Sequence, residues 1–424
     1  MNLIFIGTGY VGLVSGVMLA SQGANVVCLD NDKSKIDRLK QGILPIYEPG
    51  LEEYATSSNV SFVSNYSEIA FIPDAVFISV GTPSLDSGDA DLSYVFTASL
   101  EAAKNTPETT LVVIKSTVPP GTTHAVEKHL RDHGYNHKLA SNPEFLREGK
   151  AIDDFLYPDR IVIGITDDES KQKMAKIYAK FQPLLFADPT TSELIKYASN
   201  SFLATKIAFI NEMANICEKV GGDIDALSYG MGLDKRIAPD FLKVGPGFGG
   251  SCFPKDILAL EYLAHKYDEP FQVLSAVIDA NKKRVHHVVD KIEAKIGALK
   301  DKKLAVFGLA FKADTDDIRS SPAIDIVKIM IERGADITAY DPEAMENTKA
   351  LDLKMKFAKS PIDSTDGADA IVILTEWPEF KELDYQLLGA KMKTRTVFDF
   401  RNILNVQDVK KAGFVIYQLG KQNL

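Results

Sequence analysis

Residues 3–12, Leu-Ile-Phe-Ile-Gly-Thr-Gly-Tyr-Val-Gly, constrain this chain more than any other segment. A short apolar strand, Leu3–Ile6, runs directly into the spacing G-x-G-x-x-G at Gly7, Gly9 and Gly12. An apolar helical pattern fills 11–22 and stops at Gly23, and a second strand, Asn25–Leu29, delivers Asp30. In such a unit the first glycine permits a tight turn. The second lets backbone N–H groups approach a pyrophosphate, and the third lets helix and strand pack closely. The helix N-terminus then faces the phosphates. Asp30 stands 18 residues beyond Gly12, where a carboxylate accepts hydrogen bonds from a ribose and repels a 2′-phosphate. The segment therefore predicts dinucleotide binding, with NAD favoured over NADP; FAD uses the same fingerprint. The run 3–20 also mimics a signal peptide, but only Met1 and Asn2 precede it and no basic n-region is present. With no apolar stretch of ~18 residues elsewhere, the expectation is a cytoplasmic chain with nothing removed and no membrane contact.

Strands continue to alternate with helical patterns. Ala75–Val80 breaks at Gly81-Thr82-Pro83, Leu111–Lys115 breaks at Ser116–Gly121, and Ile161–Ile165 follows. That alternation predicts a doubly wound parallel sheet, with Thr82, Thr117 and Asn142-Pro143-Glu144 on the rim beyond the strand C-termini. Thr190 to Val220 reads as one long helix with a capping box at Thr190 and Glu193, ended by Gly221-Gly222. Ile195, Phe202, Phe209, Met213, Ile216 and Val220 make it apolar enough to predict burial on most sides. A second helical stretch runs from Phe271 to about Ile296. Residues 303–341 then repeat the opening: LAVFG parallels LIFIG, ADITAYD parallels ANVVCLD, and Asp341 stands where Asp30 stands. The expected architecture is α/β, with two Rossmann-like doubly wound domains, 1–198 and 297–424, joined by a helical domain, 199–296, that contains the long connecting helix and dimerises.

The chain carries 48 Lys+Arg against 58 Asp+Glu, a net charge of −10. Nucleic-acid binding through phosphates needs the opposite sign, so an anionic ligand must meet locally placed cations. Three cysteines in 424 residues argue against a disulfide framework. Cys28 in a strand and Cys217 on an apolar helix read as small buried hydrophobes. Cys252 differs. The segment 245–256, Gly-Pro-Gly-Phe-Gly-Gly-Ser-Cys-Phe-Pro-Lys-Asp, delivers it on a glycine-rich loop to a helix start with Pro254 in the first turn. The helix dipole and Lys255 favour a thiolate there, and Asp256 one turn on could serve as base or orienting group. Lys196 and Asn200 stack at i, i+4. They form either a snorkelling lysine with a solvated asparagine or a donor pair for a developing oxyanion. Glu144 reads as a turn carboxylate or a general base acting through water.

Seven segments carry a resemblance across nearly the whole length: GTGYVG at 7–12, KSTVPPGT at 115–122, SNPEFLREG at 141–149, PDRIVIG at 158–164, GFGGSCFPKD at 247–256, FKADTDDIRSSP at 311–322 and LTEWPEF at 374–380. Through them the chain resembles the UDP-glucose 6-dehydrogenases of the nucleotide-sugar dehydrogenase group. GDP-mannose relatives typically carry Leu after the cysteine, where this chain has Phe253. The resemblance implies a four-electron oxidation of a primary alcohol to a carboxylate with two NAD+, through a thiohemiacetal and a thioester on Cys252. It makes Lys196 and Asn200 the oxyanion pair, gives Asp256 and Thr117 the proton and water, and gives Glu144 the activation of water. Around NAD it sets Gly7, Gly9, Tyr10, Val11, Gly12, Asp30, Lys35, Thr82, Thr117, Glu148 and Arg319. Around the UDP-sugar it sets Glu144, Phe145, Leu146, Lys196, Asn200, Arg236, Phe241, Lys243, Gly249, Lys255, Phe311, Lys312 and Arg401. Arg236 would reach the neighbouring site in a homodimer, and no metal is implied. Arg147 departs from members with a small residue at that position. The competing readings are a GDP-mannose or other nucleotide-sugar dehydrogenase, a single-hydride hydroxyacid dehydrogenase, and a non-catalytic NAD-binding sensor.

Overall fold

A computed structural model describes residues 1–57 and 59–422. They form two compact units, Met1–Ser199 with Leu258–Glu269, and Asn200–Ile257 with Pro270–Leu424.

The first unit is built on β1 (Asn2–Ile6), β2 (Asn25–Leu29), β3 (Val60–Val63), β4 (Ala75–Ile78), β5 (Leu111–Ile114), β6 (Leu139–Ser141), β7 (Ile161–Gly164) and β8 (Leu184–Ala187). Their order is β3-β2-β1-β4-β5-β6-β7-β8. The strands read as continuous apolar runs because both faces are covered, as βαβ crossovers require. Leu3, Phe5, Phe77 and Val113 pack on one side; Ile4, Ile6, Ile78 and Ile114 pack on the other. Neighbours run parallel except β6 and β7, which meet antiparallel at Ser141 and Gly164. In register, Ile6 faces both Leu29 and Ile78. The loops after β1, β2 and β4 therefore leave from one rim. The apolar opening run forms β1 and the helix Tyr10–Ser21, which is buried continuously from Gly12 to Ala20.

The second unit repeats this order with β9 (Lys303–Phe307), β10 (Asp336–Tyr340), β11 (Lys356–Phe357), β12 (Ala370–Ile373), β13 (Thr396–Asp399) and β14 (Val415–Gln418). The sheet runs β11-β10-β9-β12-β13-β14, parallel throughout. Its core also takes Ile210, Ala214, Val288 and Ile292 from the helical segments. Those segments are Pro189–Val220, Ile224–Gly232, Phe253–Lys266 and Gln272–Ile296. Among the described residues no helix is long and apolar enough to cross a membrane.

The helix Pro189–Val220 departs from its expected burial. Polar side chains face inward: Glu193, Lys196, Asn200 and Asn211 are buried. Large apolar side chains face outward, with Phe202 66% and Val220 74% exposed and Phe209 and Ile216 about half exposed. Apolar content predicts core, whereas the spacing 202, 209, 216, 220 marks a single outward face. The capping box is corrected as well. Asp188 accepts the Thr191 N–H at 2.9 Å. Glu193 instead accepts from the Gly121 N–H, the Thr123 N–H and the Thr123 hydroxyl, at 2.6, 2.7 and 2.6 Å. It thereby caps the helix Thr122–Asp132 from 70 residues away. Burial pushes its carboxyl up, against the pull of those bonds.

Candidate active site

The site candidates fall into two groups, one in each unit. In the first unit, Gly7 follows β1 at φ +95°, donates its N–H to the Leu29 carbonyl, and lies where a Cβ would stand 2.7 Å from the Ser79 carbonyl oxygen. Only glycine fits that turn. A Cβ on Gly9 would meet nothing within 4 Å, so the space before the helix N-terminus is open for phosphate. The Asp30 Oδ2 accepts the Thr8 N–H at 2.8 Å, the Thr8 hydroxyl at 2.7 Å and the Lys35 ammonium at 3.0 Å; its Oδ1 accepts the Asp32 N–H at 3.1 Å. Burial alone would push this carboxyl up, but the donors outweigh it and hold it below its ordinary value. The expected site residues Asp30 and Lys35 are thus an ion pair. Tyr10 bonds Glu48 through its hydroxyl and takes the Gly149 N–H at 2.8 Å; Glu48 also accepts the Gly149 and Ala151 N–H groups, each at 2.7 Å. Glu48, which sequence reasoning missed, ties the start of the dinucleotide helix to the turn holding half-buried Glu148; half-buried Val11 belongs to that helix. The Thr82 hydroxyl donates to the Thr117 carbonyl at 2.9 Å and joins the two predicted rim loops. The fit for a dinucleotide rests on this open cradle and charged Asp30.

On the same rim Glu144 and Lys196 are both about 5% exposed, and the Lys196 Nζ stands 3.4 Å from the Glu144 Oε1. This excludes the snorkelling alternative. The other Glu144 oxygen accepts the Leu146 N–H at 2.5 Å, which fixes the turn that holds Phe145 and Leu146. Phe145 lies under the Lys196 ammonium at 5.2 Å. Exposed Arg147 pairs with Asp154.

In the second unit Asn200, equally buried, donates from its amide to Asp256 at 2.6 Å, and the Lys255 ammonium reaches the other Asp256 oxygen at 2.8 Å. Asp256 is buried, and its N–H donates to the Cys252 carbonyl at 2.9 Å. Cys252 therefore stands immediately before the helix Phe253–Lys266, as expected. Its sulfur is 3.5 Å from the Ser251 hydroxyl.

The loop before it hangs from three side chains that the sequence did not reveal. Asn211 accepts the Gly245 N–H at 2.9 Å. Asn281 bonds both the N–H and the carbonyl of Phe248, at 2.9 and 3.0 Å. The buried Arg284 donates to the Gly245 carbonyl at 3.0 Å, and burial pushes its guanidinium down to about 10. A side chain at Gly249 would collide with the Ser320 carbonyl. By contrast Cys28 and Cys217 are packing groups: burial pushes the Cys28 thiol up to about 12 and raises that of Cys217.

The remaining cations are held nearby in the same unit. Arg401 donates to the Leu374 and Phe311 carbonyls at 2.8 and 2.9 Å, and Lys312 lies 5.6 Å over the Phe311 ring. Arg319 forks onto Asp317 at 2.8 and 2.7 Å, and its carbonyl accepts the Gly250 N–H at 3.0 Å. Phe241, at φ 63°, sets its ring 6.0 Å from that of Phe253; Lys243, two residues on, is exposed. Arg236 pairs with its neighbour Asp234, and 90% of its side chain is exposed.

A dinucleotide cradle in one Rossmann unit, with the match of its sequence to an NAD-binding domain, makes this an NAD-dependent dehydrogenase. The chain belongs to the UDP-glucose/GDP-mannose dehydrogenase family, whose NAD binding domain, central domain and UDP binding domain match residues 1–182, 190–283 and 305–406. It is 51% identical over 431 residues to a UDP-glucose 6-dehydrogenase of Rickettsia conorii, with all of both chains covered. A solved UDP-glucose dehydrogenase from Pyrobaculum islandicum superposes with a TM-score of 0.91 at 38% identity, over 99% of this chain and 98% of that one. A UDP-D-ManNAc dehydrogenase from Pyrococcus horikoshii gives 0.87 at 27% identity over the whole of both chains.

Proposed function

We propose that this chain oxidises UDP-glucose to UDP-glucuronate. One primary alcohol and one water become a carboxylate, two hydrides leave to two NAD+, and three protons are released. NAD+ held by Gly7, Gly9, Tyr10, Val11, Gly12 and Asp30, with Lys35, Thr82, Thr117, Glu148 and Arg319 beside it, supplies the hydride acceptor. Phe145, Leu146, Phe241, Lys243, Gly249, Lys255, Phe311, Lys312 and Arg401 hold the UDP-sugar, and the cations among them neutralise its diphosphate.

The sulfur of Cys252 adds to the C6 aldehyde and forms a thiohemiacetal. Lys196 and Asn200 donate to its oxyanion. Loss of the second hydride leaves a thioester. Glu144 takes a proton from the attacking water, Thr117 and Asp256 hold that water, and C–S cleavage returns the thiol. The observation that carries this reading is the burial of Lys196 and Asn200, each bound to a buried carboxylate, Glu144 and Asp256. A single-hydride dehydrogenase has no use for this machinery or for a thiol at a helix start.

We further read the segments 1–198, 199–296 and 297–424 as cofactor, dimerisation and substrate domains of a cytoplasmic homodimer. The outward face of Phe202, Phe209, Ile216 and Val220 supports a second copy, because covering side chains that are half to three-quarters exposed gains about 1–2 kcal/mol each. Arg236, extended into solvent, would then serve the neighbour.

The deciding measurement is NADH formed per UDP-glucose consumed. Two per sugar, abolished by thiol alkylation, is expected. One per sugar, indifferent to alkylation, would refute the mechanism, and activity confined to GDP-mannose would refute the substrate.

A further inference from the structure

Lys115 has no part in the roles given above, yet it lies among them. It follows β5, its N–H donates to the Ile78 carbonyl at 2.9 Å, and its side chain is buried. Its ammonium reaches the Asn142 side-chain oxygen at 3.3 Å and the Asn142 carbonyl at 3.5 Å. Asn142 is a junction. Its N–H donates to the Ile114 carbonyl and its amide to the Val162 carbonyl, each at 2.8 Å, and its side-chain oxygen also accepts the Tyr178 hydroxyl at 2.6 Å. Two residues on, Glu144 faces Lys196. The charges that act on Lys115 are those of Glu144 and Lys196; burial first, then Lys196, pushes its ammonium down to about 8 against the pull of Glu144.

We propose that Lys115 is a positioning residue for the oxidation, which through Asn142 fixes the turn carrying Glu144 and by its charge makes Glu144 a carboxylate shared by two buried ammonium groups. This inference rests on the reading that Lys196 serves the oxyanion and Glu144 the water. One carboxylate between two cations leaves the cluster at a formal +1, the sign that a developing alkoxide needs. The Lys196–Glu144 contact is itself a long one, 3.4 Å. Without Lys115 the pair becomes neutral and closes, and the Lys196 ammonium is drawn off the oxyanion.

Lys115→Met retains the stem and removes one buried charge while Glu144 keeps Lys196 as its partner, so no buried carboxylate is left uncompensated; the Asn142 oxygen keeps its Tyr178 donor. The wild-type chain is first assayed for NADH from UDP-glucose; failure there overturns the reading and the role of Lys115 with it, whereas failure in the variants alone overturns only the role of Lys115. In Lys115→Met we expect kcat to fall about 30-fold while KM for UDP-glucose and for NAD+ stays within about 3-fold. Lys115→Arg, which keeps the charge, should recover most of kcat. The double variant with Glu144→Gln should fall no further than Glu144→Gln alone, because the effect travels through Glu144. A Met variant within about 3-fold of wild type, or penalties that multiply in the double variant, would overturn the proposal. So would loss of NAD+ binding in both the Met and the Arg variants, which would make Lys115 scaffold.

Discussion

The two Rossmann sheets share a strand order and a turn, yet they use their matching aspartates in opposite ways. After β1 and after β9 the chain makes the same glycine turn, Gly7 at φ +95° and Gly308 at φ +93°, each donating its N–H to the end of the neighbouring strand. Each second strand then delivers an aspartate. Asp30 accepts from Thr8, Asp32 and Lys35 and keeps 8% of its surface. Asp341 is completely buried. It accepts the Leu309 and Ala310 N–H groups at 2.7 and 3.1 Å, the Trp377 indole at 3.2 Å, and the Glu343 and Ala344 N–H groups at 3.0 and 2.8 Å. Asp341 is a tie for the turn, with every acceptor direction taken; Asp30 retains one to offer a ribose. The helix start differs too. It follows Gly7 by three residues in the first unit, but in the second it waits until Pro322, after the segment carrying Lys312 and Arg319. Shared topology therefore does not mean shared ligand chemistry.

This contrast can be broken most forcefully at Asp341. Asp341→Ala orphans five donors, each worth about 1–3 kcal/mol, so denaturant unfolding should show a loss of at least about 3 kcal/mol with NAD+ affinity of the folded fraction unchanged. A mild loss with weakened NAD+ binding would mean that the two aspartates do the same job. Asp30→Ala should act on the cofactor. NAD+ binding, followed by fluorescence titration, should weaken about 10-fold, and preference over NADP+ should shrink, because one charged hydrogen-bond acceptor is worth about 1.5–3 kcal/mol at most. Unfolding should weaken as well, by less than in Asp341→Ala, because Asp30 releases four donors at an open rim and Asp341 five in the core. The smallest effect is the pH dependence. Asp30 is held below its ordinary value, so its stabilising contribution is complete above about pH 4 and is lost only as pH falls through the lower folded value. Asp30→Asn and wild type should therefore differ by a constant amount from pH 8 to pH 5 and converge in more acid solution. Convergence already at pH 6 would mean that the surrounding donors do not hold the charge.

How far the chain announces itself depends on the range of the interactions involved. The glycine turn, the strand that delivers Asp30, the repeat at 303–341 and the thiol at a helix start were all legible, because each is set by residues within a few positions of one another. The same local logic failed on the helix Pro189–Val220, where apolar content suggested core and the fold turned Phe202, Phe209, Ile216 and Val220 outward. It failed again at Glu193, whose nearest cap was forgone for the end of a helix 70 residues away. Glu48, Asn211, Asn281 and Arg284 carried no signal in the sequence, since a polar residue reads as surface until a distant backbone group claims it. Local residue patterns suffice to specify the class of unit, the dinucleotide turn and the identity of the groups able to react. Which carboxylates and amines lost their water, and so which remained for a ligand, was settled by packing in three dimensions. Burial depends on what packs opposite a side chain, and no neighbour along the chain encodes that.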